Sequence, residues 1–156
     1  TSTVFNWSTF IGTDDPDDLR RMRYYNNVFG QFKISNKIDL ITGLDIGVQQ
    51  KEKGLNSFDI WYSPIAIGKY KFDDVWNLGL RYEYFYDNQG VIIPTGTPNG
   101  FKTSGVSMNL DYSLTEDITY RVEGRWFISK DKIFETENDL KKNLMIITAS
   151  LTASFD

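Results

Sequence analysis

From about residue 21 to residue 155 the chain alternates apolar and polar residues with a period of two, the spacing of strands that face an apolar medium on one side only. The pattern is clearest over residues 75–87. Trp76, Leu78, Leu80, Tyr82, Tyr84 and Tyr86 take one face there, and Asn77, Gly79, Arg81, Glu83, Phe85 and Asp87 take the other. Eight such segments are predicted, at about 3–12, 21–35, 38–51, 57–72, 75–87, 103–114, 118–129 and 143–155. Pro64 interrupts the fourth, so a bulge or a locally weak pairing is expected beside it. No helical period runs through the chain, although residues 135–142 are expected to allow one turn of helix.

The connections alternate in length. Those through Asn36, Asp73–Asp74 and Glu116 are tight, whereas those near residues 13–19, 54, 88–102 and 130–142 are long. All long loops therefore fall on one rim, and the tight turns and both ends of the series fall on the other. The predicted fold is all-β, a transmembrane antiparallel up-and-down β-barrel with eight strands in a single domain, 1–156.

Composition narrows the chemistry. With 156 residues the chain suits one core, and with 40% apolar and 24% charged residues it is neither a disordered segment nor a helical membrane protein. No run approaches the roughly 18 apolar residues of a spanning helix. The nine Tyr, eleven Phe and four Trp recur inside the alternating segments. A net charge of -4 without a basic stripe argues against a nucleic-acid partner. The absence of Cys and His removes disulfides, thiolate nucleophiles, histidine triads and the commonest zinc ligands, so no catalytic residue, metal site or cofactor is expected. The first residues, Thr-Ser-Thr, are read as those of a processed product or an internal fragment.

Charge also says which way the faces point. The polar face carries Lys33, Lys51, Lys69, Lys71, Arg81, Arg121 and Arg125 against Asp39, Asp45, Asp59, Glu83, Asp87, Asp111 and Glu123, seven of each sign. Such a balance suits a lumen in which ionised groups neutralise one another, because an unpaired buried charge is costly. A lumenal charge network is therefore expected from Lys33, Asp39, Asp45, Lys69, Arg81, Glu83, Asp111, Arg121, Glu123 and Arg125. In a barrel of eight strands it would plug the interior, and in a wider one it would line a channel.

Aromatic residues gather near the ends of the apolar face. Phe58, Tyr84, Tyr86 and Trp126 lie toward the long loops, and Phe32, Tyr70, Phe72, Trp76, Tyr112 and Phe155 lie toward the tight turns, as two girdles of a bilayer-spanning barrel would. A soluble, lipocalin-like barrel with the apolar face inward is the competing architecture. Two loops stand out. Asp14, Asp15, Asp17 and Asp18 are read as a solvated loop, with calcium the alternative. Val91, Ile92 and Ile93 are out of place in an exposed loop, so 88–101 either packs on the rim or folds inward as a constriction.

The segments NWSTFIG (6–12), WYSP (61–64), LRYEYF (80–85), GVIIPTGTPNGF (90–101), RVEGRWFISKDKIF (121–134) and the terminal SLTASF resemble the Bacteroidetes outer-membrane porins of the beta-barrel porin-2, outer-membrane-porin-L-like family. The resemblance implies the C-terminal part of a longer porin in the bacterial outer membrane, with long loops outside, termini periplasmic, and passive passage of small polar solutes. It also implies contact with outer-membrane lipid and with the barrel-assembly machinery, for which Phe155 would be the signal. Asp156 follows that aromatic residue and departs from the usual ending. The other expectations are a non-conducting structural or adhesion barrel, and a barrel held as a client of an assembly or secretion machine or beside other membrane-complex subunits.

Overall fold

A computed structural model describes residues 3–155; the Asp156 ending and the first two residues lie outside the described residues. Alternating sequence becomes strand throughout: β1 (Thr3–Gly12), β2 (Arg23–Lys33), β3 (Ile38–Gln50), β4 (Phe58–Lys71), β5 (Trp76–Asp87), β6 (Phe101–Ser113), β7 (Ile118–Ser129) and, after a loop, β10 (Asn143–Ala153). Each pairs antiparallel with its neighbour in chain order, giving one eight-stranded sheet. The described residues contain no helix.

Several expectations change. Residues 135–142 form no helical turn. Phe134–Glu135 (β8) and Leu140–Lys141 (β9) make a small hairpin, closed by Thr136, whose amide and hydroxyl both donate to the Asp139 carbonyl at 3.0 and 2.7 Å. The second strand begins at Arg23 rather than residue 21, because the Asp15 carboxylate takes the Arg21 amide and guanidinium at 2.8–3.0 Å and holds that residue in the loop. Beside Pro64 the pairing is weak but not bulged. Tyr62 still opposes Tyr86 and Ile65 still opposes Glu83, while the two intervening pairs of β4 and β5 are missing. Proline has no N–H to give that neighbour, and its β3 side stays paired at Leu44. The sheet is also not closed: among the described residues β1 and β10 pair on one side only.

The sheet curves toward its charged face. Trp61, Gln49, Asp87, Thr103, Ser107, Asp111 and Ser129 are buried, and the register puts all of them on that face. A side chain at Gly47 would collide with the Trp61 ring and one at Gly79 with Asn109, whereas Gly68 and Gly124 on the opposite face have nothing within 4 Å. The convex face holds the apolar residues in the open. Trp61 on the concave side is 4% exposed, but Leu80 is 52% and Met108 59% exposed.

Candidate functional site

Strand register decides where charge can go. Every charged residue of β1–β7 and β10 except Lys102 stands on the concave face, and Lys102 sits at the long-loop end of β6 with its Nζ 4.9 Å over the Tyr86 ring. The predicted network residues all share that face, but they are not one network. Asp111 and Arg121 are direct cross-strand partners joined by two bonds of 2.7 Å, one to each carboxylate oxygen, and Asn109 Nδ2 donates at 2.7 Å to Oδ1, the oxygen that Arg121 Nε binds. Arg81 binds Glu83 two residues along β5, and Arg125 lies 3.6 Å from Glu123 on β7. Lys51 and Asp59, at 3.5 Å, make a further pair near the long-loop rim.

Lys33, Asp39 and Lys69 stand side by side in register on β2, β3 and β4, yet no ion pair joins them. A cavity of about 350 Å³ lies among Gln31, Lys33, Asp39, Ile41, Ile67 and Lys69. Among the described residues Asp45 pairs with no cation. It accepts from the Tyr25 hydroxyl and from Asn27 Nδ2, the latter at 2.7 Å. Lys71 turns to Asp74 in the adjoining tight turn, at 2.7 Å.

The long-loop end of the concave face is occupied by the β5–β6 connection. Asp87 ends β5 with its side chain fully buried, and its carboxylate accepts the amides of Val91, Ile92 and Ile93 at 2.7–2.9 Å. This fold carries Ile92 to a cavity it shares with Phe10, Tyr25, Trp61 and Phe85, and Ile93 to a smaller one with Ser63, Thr103 and Phe127. The loop therefore folds inward. Its far end is tied by Asp131, which takes the Asn99 amide and Nδ2, both at 2.9 Å. Those hydrogen bonds hold the Asp131 carboxyl below the usual carboxylate range. Neither anchor was expected from the sequence, although an Asp followed by Asn, Gln and Gly before an apolar run was a usable signal.

Two of the four carboxylates of the acidic β1–β2 loop, Asp14 and Asp15, bind arginines. Arg21, by its side-chain and then its backbone hydrogen bond, draws the Asp15 carboxyl down to about 2, and Arg23 holds Asp14 at 2.8 Å. Among the described residues no three carboxylates gather as they would around a cation.

The girdle residues meet in pairs on the convex face. Tyr62 stacks on Tyr86 with centroids 4.9 Å apart and lies 6.2 Å from Tyr84, while Phe58 meets Tyr24 at 6.1 Å. At the other rim Tyr70 meets Phe72 at 5.0 Å and Trp76 meets Tyr112 at 4.7 Å. Phe32 folds back over Gly30, Trp126 stands between Val106 and Met145 in register, and Phe155 lies beyond β10, 91% exposed.

No curated protein matches this sequence. A family model described as "Putative beta-barrel porin-2, OmpL-like" matches residues 1–155. An antiparallel sheet with a charged concave face and an apolar convex face, matched over that whole span, shows that the chain belongs to this porin family.

Proposed function

We propose that this chain forms part of an outer-membrane β-barrel through which small polar solutes pass passively. Family membership implies the outer membrane. The observation that carries the reading is the segregation of charge: the convex face exposes Leu80, Val106, Met108, Leu110 and Val122, while the concave face holds the ionised groups of the strands apart from Lys102. In water the exposed part of each such side chain forgoes its share of the roughly 1.5–3 kcal/mol that full burial gives, which a bilayer supplies. The same face in water would be an aggregation surface.

In this reading the tyrosine, tryptophan and phenylalanine pairs sit at the two interfaces, the long loops face outward and the termini face the periplasm. The charges of β2–β7 line the solute path, and no catalytic step is assigned to them. The partners are outer-membrane lipid and, during insertion, the barrel-assembly machinery, with Phe155 as the signal it reads. The open edges of β1 and β10 support a place in a wider barrel, in keeping with a C-terminal part of a longer Bacteroidetes porin. Hydrocarbon leaves no strand edge unpaired, so both edges need a partner strand.

A second reading rests on the inward β5–β6 loop. It reaches over the concave face toward one rim and narrows it, as a non-conducting scaffold barrel would require. Planar-bilayer recording separates the two. Stepwise ohmic conductance is expected for the channel, whereas stable insertion with silence supports the scaffold. A chain that stays folded and monomeric without detergent or lipid removes both.

A further inference from the structure

The cavity beneath Ile92, of about 500 Å³, lies within the range of small-molecule sites. Four rings reach it from four strands, Phe10 of β1, Tyr25 of β2, Trp61 of β4 and Phe85 of β5. We propose that this cavity is a binding subsite for a neutral polyhydroxylated ring, that is, a sugar. The proposal deepens the reading of the concave face as a solute path and rests on it.

The polar groups of the cavity choose among ligand classes. Arg23 is already engaged: Nε and Nη2 bind Gln49 Oε1 at 2.8 and 2.6 Å, Nη1 binds Asp14 at 2.8 Å, and the guanidinium lies 5.7 Å from the Trp61 ring centroid. With three of its five N–H donors engaged, its charge paired with Asp14, and Asp45 also lining the cavity, it offers little to a phosphate or carboxylate ligand. An organic cation is disfavoured for a related reason. Aromatic cages hold cations on ring faces, and Arg23 already places a positive charge over Trp61.

Asp45 supplies what a hydroxyl needs. Its two side-chain partners, Tyr25 and Asn27, both donate to Oδ1, and none of the described residues donates to Oδ2. A sugar presents hydroxyl donors at its rim and an apolar C–H face, so one ligand can satisfy that acceptor and lie against the rings without bringing charge. The lid is set in advance, because the wholly buried Asp87 fixes the Ile92 amide at 2.7 Å. Preorganisation of this kind lowers the ordering cost of binding.

The test uses the full chain in lipid bilayers and in detergent micelles, with glucose and maltose as probes and choline and gluconate as charged comparisons. Sugar is expected to reduce the ion current saturably and to change Trp61 fluorescence over the same range, and the charged probes to do neither. Asp45→Asn and Phe85→Leu should each raise the half-saturating sugar concentration about tenfold, the second keeping apolar volume in case truncation prevents folding. Conductance that ignores sugar, a response unchanged in both variants, or a preference for choline overturns the subsite and leaves the channel standing. A saturable fluorescence response in a protein that inserts but does not conduct sinks the channel and keeps the subsite.

Discussion

Toward the long loops the concave face is covered by an inward-folded loop over a ring-lined cavity of about 500 Å³, whereas toward the tight turns it is uncovered and lined by charges with space between them. In the covered half Trp61 lies against Gly47, Asp45 is held by Tyr25 and Asn27, and a loop is drawn in by Asp87. In the open half Lys33, Asp39 and Lys69 face a cavity of about 350 Å³ without ion-pairing. Both halves come from the same alternating strands, so the difference lies in what closes each rim. A long loop can return to the sheet and bring apolar residues with it; a turn such as Asp73–Asp74 is too short to do so.

The cover therefore depends on its anchor, and removing the anchor has the largest expected effect. Asp87→Ala takes the acceptor from three amides at once, each a charge-assisted hydrogen bond. The loop can open to water, so the loss falls on the loop rather than on the whole fold. About 3 kcal/mol is expected, or roughly a hundredfold faster amide exchange at Val91–Ile93. A conducting protein would show larger current steps as well. Unchanged exchange would mean that apolar contacts of Ile92 and Ile93, not Asp87, hold the loop in.

The open half gives an asymmetric prediction. Asp111 is 8% exposed and Arg121 is 48% exposed, so removing Arg121 strands a buried carboxylate, while removing Asp111 leaves a guanidinium that reaches water. Arg121→Ala should cost about 2–3 kcal/mol and Asp111→Ala about 1–2 kcal/mol in denaturant unfolding from micelles. Asp39→Asn, which breaks no ion pair, should change stability by less than about 0.5 kcal/mol. Equal losses for all three would erase the distinction between a paired wall and an unpaired one.

The extent to which this was legible in sequence follows from range. Strand identity, facing and the order of tight and long connections depend on neighbours two residues apart, and those expectations match the sheet. The start of β2, the β8–β9 hairpin and the anchors of the β5–β6 loop depend on a few side chains meeting the backbone. Arg21 with Asp15 is such a case, as is Asp131 with Asn99, 32 residues away. Alternation cannot report these contacts. Closure was likewise out of reach: period two continues through β1 and β10 whether or not either edge has a second partner. Opposite charges in register also did not guarantee contact, as Asp39 between Lys33 and Lys69 shows.

The second tie of the loop responds to pH, and its sign follows from the direction of the Asp131 shift. Hydrogen bonds from the Asn99 amide and side chain favour the carboxylate, so its value when the loop is seated lies below the ordinary 3.8. A depressed value contributes stability that is fully present above the free group's value and is lost as pH falls through the seated one. Protection of the Asn99 amide should hold from neutral pH down to about 4, then fall as the solution becomes more acidic. Asp131→Asn should weaken protection at neutral pH and flatten the acid dependence. Exchange across the pH 2–7 range reads both. If Asn99 and Ile92 lost protection together at every pH, the loop would be one cooperative unit, and the covered half of the concave face would have a single latch rather than two.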